Sequence, residues 1–198
     1  MDPVAFDALA VDLDGTVWDS APWYAELTTT SSKQAELVGG QLRSGAAGVN
    51  AASLLKTRFT PTKFETACRD HAEELHLYPG LLASLAVWKR VGPIAVVTNL
   101  PAWVAAPMLK ATGLMEMFDL VQTARRGVPA KPHSAPMRFA AEALGLHPSA
   151  FLYVGDAASD QKAASQAGMG FAWASWGYGV DLVCDMTLAT WSDLRSPA

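Results

Sequence analysis

Two aspartates separated by a single residue, Asp12 and Asp14 in Asp12-Leu13-Asp14-Gly15-Thr16, stand at the end of an apolar run. An extended backbone aims alternate side chains the same way, and two carboxylates held close do not both ionise freely. One is pushed toward the protonated form while the other stays an anion. That division suits covalent phosphoryl transfer: one carboxylate attacks phosphorus and the other protonates the leaving oxygen. The second group then takes a proton from the water that hydrolyses the acyl phosphate.

Attack by an anion on a phosphate dianion needs compensating positive charge. Three further polar clusters offer it or its ligands: Thr98-Asn99, Lys131-Pro132 and Gly155-Asp156-Ala157-Ala158-Ser159-Asp160. Asp156 is a hard oxygen ligand, and magnesium sites use one or two carboxylates completed by water and substrate oxygen. Lys131 is a point charge; Thr98 and nearby backbone N–H groups can hold phosphoryl oxygens. Each cluster also has a plainer reading alone. Asp and Gly are common turn residues, Thr98-Asn99 before Pro101 can cap a helix, most lysines are solvated, and Asp160 can favour a helix start through its dipole.

These clusters need elements to position them. Ala8 to Leu13, Ile94 to Val97 and Phe151 to Val154 are continuously apolar, as strands buried on both faces of a parallel sheet are; Phe118 to Val121 and Met169 to Ala172 are weaker candidates. Helical patterns alternate with them. One covers Leu81 to Arg90 after the Pro79-Gly80 turn, one runs from Pro101 to about Thr112 with Gly113 as its stop, one is capped by Ser134 with Phe139, Ala140, Ala143 and Leu144 on one face, and one covers Ala158 to Ala167. Such alternation predicts a doubly wound α/β core, in which ligands bind beyond the carboxyl ends of the strands.

Between Asp19 and Tyr78 the alternation stops. Ala35 to Val38 and Val49 to Lys56 suggest helices separated by glycines. Thr62-Lys63-Phe64-Glu65 has a capping-box pattern, and Phe64, Ala67, Cys68, His71 and Leu75 follow a helical stripe, with Cys68 and His71 read as packed residues. The segment reads as a helical insert of three or four helices. Trp18 and Trp23 stand where they could line the mouth of a site or seal the insert against the core, and His133 beside Lys131-Pro132 reads as solvated. Arg43, Lys56 and Arg58 are the insert cations; they read mostly as surface charges, of which one could reach an anionic substrate tail.

The four ordered motifs, with the later Trp176-Gly177-Tyr178-Gly179, resemble those of the haloacid dehalogenase (HAD) superfamily, in its phosphoglycolate-phosphatase-like branch. The resemblance implies a Rossmann-like three-layer core of residues 1–18 and 79–198, and a helical cap of residues 19–78 inserted after the first strand. It implies Asp12 as nucleophile and Asp14 as general acid/base, with magnesium held by Asp12, the Asp14 carbonyl and Asp156, and Asp160 as ligand or support. Thr98, Asn99 and Lys131 would bind the phosphoryl group. True dehalogenases of this superfamily lack the second aspartate of the first motif, so Asp14 points to phosphate rather than haloacid chemistry. Hydrolysis of a small phosphorylated metabolite is the expectation; a phosphomutase of the same fold and a non-catalytic phospholigand-binding protein are its rivals.

Composition bounds the rest. The 198-residue chain is 51% hydrophobic and 17% charged, enough for a compact core. A net charge of −4 gives no basic footprint for nucleic acid, although Arg125-Arg126 could attract an anion locally. Cys68 and Cys184 lack metal-type spacing and read as buried thiols in a reducing compartment. The start, Met1-Asp2-Pro3-Val4, lacks a basic secretory region, and no apolar run is long enough to span a bilayer. The expectation is a cytoplasmic protein without membrane or nucleic-acid partners.

Overall fold

The computed structural model describes residues 6–44, 55–56, 58–184 and 186–195. Its centre is a six-stranded parallel sheet. In chain order the strands are β1 (Ala8–Val11), β4 (Ile94–Pro101), β5 (Leu120–Ala124), β6 (Phe151–Gly155), β7 (Gly170–Ala174) and β8 (Thr187–Leu188). A two-stranded antiparallel ribbon, β2 (Trp18–Asp19) and β3 (His76–Leu77), stands apart, pairing Trp18 with Leu77 and Asp19 with His76. The sheet order is β5-β4-β1-β6-β7-β8.

Period-two alternation divides the sheet between two helical layers. Leu9, Val11, Ile94, Val96, Leu152 and Val154 face helices α4 (Leu81–Trp88) and α5 (Ala102–Ala111), and pack with Leu85, Trp88, Val104 and Met108. Ala8, Ala10, Ala95, Val97, Phe151 and Tyr153 face α6 (Ala135–Ala143) and α7 (Ala158–Ala167), and pack with Met137, Ala140 and Ala163. Every β1 residue is fully buried, which is why the run carries no polar side chain until Asp12. This is the expected Rossmann-like α/β core.

The order of strands decides where a site forms. From β1 the chain steps outward through β4 and β5, then returns to the other side of β1 at β6. The switch point lies at β1, and its carboxyl end opens into the crevice that such sheets use for ligands. Val11 pairs with both Val96 and Val154, so Asp12, the end of β4 and Asp156 are brought to one edge.

Between β2 and β3 lie α1 (Ala21–Thr28), α2 (Ser32–Ser44) and α3 (Pro61–Asp70). Ala35 to Val38 sits within α2, but Gly39 and Gly40 do not end that helix; Gly39 lies in it, against Ala21 and Ala25 of α1. Most of the helix expected over Val49 to Lys56 lies outside the described residues, and Lys56 and Arg58 are exposed. At α3 the cap is Thr60, whose hydroxyl accepts from Lys63 N at 3.4 Å with Pro61 as the first helical residue, rather than the Thr62 box. Phe64 and Cys68 are buried as expected, but α3 ends before His71. That ring is 45% exposed and pairs with Glu74 at 2.8 Å, because the helix terminus turns it out of the stripe.

Two other local expectations fail for comparable reasons. At α6 the buried face is Pro136, Met137, Ala140 and Ala141, leaving Phe139 47% exposed. Its first amide, Ala135 N, donates to His133 Nδ1 at 3.1 Å, while Ser134 caps nothing. Both cysteines are free thiols; Cys68 is buried, Cys184 only partly so.

Candidate active site

Lys131 anchors the cluster at the carboxyl edge of the sheet. Its ammonium lies 2.8 Å from Asp12 Oδ1 and 2.7 Å from Asp160 Oδ1, and donates to Val97 O at 3.0 Å and to the Tyr153 hydroxyl at 2.9 Å. Lys131 is 5% exposed and Asp160 fully buried. Burial alone would discharge the ammonium, but the two carboxylates outweigh it and hold Lys131 charged above its ordinary range. The loop carrying Lys131 is fastened by Asn99, which accepts from Lys131 N at 2.9 Å and donates to Lys131 O at 3.0 Å. Asn99 thus sets the backbone of the lysine, beside Thr98 at the end of β4.

Asp12 and Asp14 diverge. Asp12 follows β1, its amide donating to Val154 O at 3.0 Å. After Leu13 the chain turns: Thr16 N and Val17 N both donate to Leu13 O, and Gly15 adopts φ +77, where any side chain would also run into Asp156. Asp14 is thereby carried to the ribbon. Its Oδ1 accepts from Ser20 Oγ at 2.6 Å, from Trp18 Nε1 at 2.9 Å and from the Tyr24 hydroxyl at 3.2 Å. Both carboxyls are raised, but not chiefly by each other. Burial is the main cause for Asp12, pushed up to about 8 against the pull of Lys131, with Asp160 and Asp156 adding repulsion. For Asp14 burial again leads, opposed by the three hydrogen bonds. The expected mutual repulsion is replaced by separate burial, because the turn at Gly15 parts the side chains.

Asp156, one residue beyond β6, is 2% exposed and raised to about 6, first by burial and then by Asp160. Its two oxygens accept from Thr16 Oγ1 at 3.2 Å and Tyr178 N at 2.7 Å. Asp160 Oδ2 accepts from Ala157 N at 3.0 Å, so this residue both closes the start of α7 and pairs with Lys131. Carboxylate oxygens of Asp12, Asp156 and Asp160 lie within 4.8 Å of one another. Asp12 Oδ1 is buried and, among the described residues, is met by the Lys131 ammonium alone. Three hard carboxylate donors so grouped, with Lys131 alone among the described residues meeting Asp12 Oδ1, fit a divalent cation such as magnesium. The Asp14 side chain stands outside this group.

Thr98 is 4% exposed near the end of β4; its hydroxyl accepts from Leu100 N at 3.1 Å, and the following helix is capped by Pro101 instead. Trp18 and Trp23 are buried, Trp23 Nε1 donating to His71 O at 3.2 Å, so both seal the ribbon region rather than line a mouth. A cleft of about 480 Å³ opens over Asp12, Asp14 and Asp156, walled by Leu42 and Arg43 of α2 and by Tyr178 to Val180. Residue patterns alone did not disclose Ser20, Tyr24 or Tyr153; each is an ordinary buried polar residue until the fold brings it to a carboxylate.

A parallel sheet with this switch point gathers three carboxylates and one lysine at the edge where such α/β folds bind ligands. The haloacid dehalogenase-like hydrolase family matches residues 6–168, and the chain belongs to that family. Among its relatives, phosphoglycolate phosphatase from Neisseria meningitidis is 32% identical over 96% of this chain and 87% of its own length. That from Nitrosococcus oceani is 30% identical over 89% and 88%. In fold, a HAD phosphatase from Thermococcus onnurineus aligns with TM-score 0.74 at 22% identity over 95% of each chain. CbbY from Rhodobacter sphaeroides, solved with phosphate, aligns at 0.69 and 20% over 96% and 97%. The chain is a phosphatase of the phosphoglycolate-phosphatase-like kind. Among the described residues no helix is long and apolar enough to cross a membrane.

Proposed function

We propose that this phosphatase hydrolyses a small phosphorylated metabolite through an aspartyl-phosphate on Asp12, with 2-phosphoglycolate as the leading substrate. Asp12 attacks phosphorus as the ester oxygen leaves; Asp14 gives that oxygen its proton, then takes one from the water that cleaves the acyl phosphate and releases inorganic phosphate. Lys131 and Thr98 hold the phosphoryl oxygens, and Lys131 keeps Asp12 aimed. Magnesium, held by Asp12, Asp156 and the supporting Asp160, would supply the positive charge that lets two anions meet. Residues 19–78 act as a cap over a core of residues 1–18 and 79–198, excluding water from the reaction as lids do.

One observation supports the reading: Asp12 lies at the sheet edge beside Asp156 and Asp160 with its Oδ1 paired to the Lys131 ammonium at 2.8 Å, whereas Asp14 is held apart in the ribbon by Ser20, Trp18 and Tyr24. A nucleophile and a proton donor need those different settings. Arg43, which pairs with Asp19 on the wall of the same cleft, supports a role for this cap cation toward a substrate carboxylate. The sequence identity to phosphoglycolate phosphatases supports that substrate. Phosphate release should be measured from 2-phosphoglycolate, sugar phosphates and p-nitrophenyl phosphate, first with magnesium and then with a chelator. Turnover that survives chelation would overturn the cation's role; an isomerised sugar phosphate without free phosphate would make the protein a mutase.

A further inference from the structure

The Trp176-Gly177-Tyr178-Gly179 segment has no part in the chemistry above, yet it touches both halves of the site. Gly177 and Gly179 lie flat on Asp156, where a side chain at either position would run into it. Tyr178 N donates to Asp156 Oδ2 at 2.7 Å. The same residue's phenol reaches the ribbon: it donates to Asp19 Oδ1 at 2.9 Å, accepts from Ala21 N at 3.0 Å, and lies 3.5 Å from Ser20 Oγ. Asp19 in turn takes Arg43 of α2 on its other oxygen at 2.7 Å. One residue therefore grips a cluster carboxylate with its main chain and the entry to the cap with its side chain.

We propose that Tyr178 is a positioning residue that couples the placement of the cap to the cation site. The inference rests on the cation reading of Asp156. When the phenol is bonded to Asp19 and Ala21, the loop is pinned and Tyr178 N stays on Asp156; when the hinge swings away, the loop loses its outer anchor and the carboxylate its donor. Coupling of this kind is reciprocal. A cation that favours the ordered Asp156 also favours the docked hinge, and a docked hinge raises affinity for the cation by the same factor. Arg43 extends the chain of contacts through Asp19 to the cap helix that walls the cleft.

The test compares the full-length protein with Tyr178→Phe, which deletes the three phenolic contacts and keeps the backbone donor. Amide hydrogen exchange over α1 and α2, with and without magnesium, reads the hinge; calorimetric titration with magnesium reads the site, and neither needs turnover. In the wild type, magnesium should slow cap exchange by roughly fivefold or more, the low end of ordinary coupling energies. In Tyr178→Phe that protection should vanish and magnesium affinity should fall by the same factor. Asp19→Asn, which weakens the phenol's acceptor and leaves the Tyr178 backbone donor to Asp156 in place, should reproduce both losses and stands in if the first variant folds poorly. A merely structural tyrosine would lower the melting temperature and leave both readouts at wild type, and that result would overturn the proposal. So would a wild type that binds magnesium without protecting its cap. A wild type that binds no magnesium would sink the cation reading together with the coupling.

Discussion

Asp12 and Asp14 are neighbours but one, and they live in two different environments. Asp12 belongs to the sheet edge, where Lys131, Asp156 and Asp160 surround it and only the ion pair with Lys131 reaches its Oδ1. Asp14 belongs to the ribbon, where Ser20, Trp18 and Tyr24 donate to it. The Lys131 ammonium favours the ionised form of Asp12 against its burial, and the three ribbon donors hold Asp14 in one orientation. The difference teaches that spacing in sequence sets the pair, while the turn at Gly15 sets the roles.

The largest break in that comparison is Asp12→Asn. It should abolish turnover and any phosphorylated protein detectable by intact mass; full magnesium-dependent activity in this variant would refute the nucleophile. Asp14→Asn leaves the sheet edge intact and should cost about 10²–10⁴-fold in kcat, the usual worth of a general acid/base. Measured against p-nitrophenyl phosphate, whose leaving group needs little protonation, the loss should shrink; an equal loss on both substrates would argue against acid catalysis.

Lys131→Met sharpens the sheet-edge half alone. Asp12 and the fully buried Asp160 would then lack their cation, and breaking such a pair costs about 3–5 kcal/mol, read as a lower urea midpoint. Unchanged stability would show that these carboxylates do not need it. At the cap, Arg43→Ala should change stability by under about 1 kcal/mol, since its pair with Asp19 is exposed. It should instead raise KM for 2-phosphoglycolate while sparing p-nitrophenyl phosphate, which has no second anion. A uniform effect on both would remove Arg43 from substrate recognition.

The smallest expected effect lies outside both halves. Asp119 accepts from Ile94 N and pairs with Lys89; burial opposes its ionisation, but these partners prevail and hold its pKa below the ordinary value. A carboxyl lowered by folding stabilises above its unfolded pKa and loses that contribution as pH falls through the folded one. Asp119→Asn should therefore cost under about 1 kcal/mol at neutral pH and less in acid. A loss of stability equal at both pH values would mean that the ionised carboxylate is not what matters there.

Much of this was legible because buried parallel strands announce themselves. The apolar runs ending in Asp12, Thr98 and Asp156 gave the sheet, and their polar ends gave its edge. What patterns cannot carry is direction after a turn. Nothing in Asp12-Leu13-Asp14 says that Gly15 will send Asp14 to Ser20 and Tyr24. Nor does Thr98-Asn99 disclose that the Asn99 amide matches the Lys131 backbone, a pairing 32 residues apart. Phe139 and His71 fit helical stripes on paper; the first lies off the buried face of α6 and the second falls beyond the last turn of α3.

The carbonyl of Thr16, in the first motif, receives two indole N–H groups at 3.1 Å, from Trp176 and from Trp191, the latter 175 residues downstream. During synthesis the loop that turns Asp14 toward its partners stays incompletely bonded until Trp191 has left the ribosome. A chain that stops short of Trp191 would carry every acidic group of the cluster and still lack one of the two indole braces on that loop.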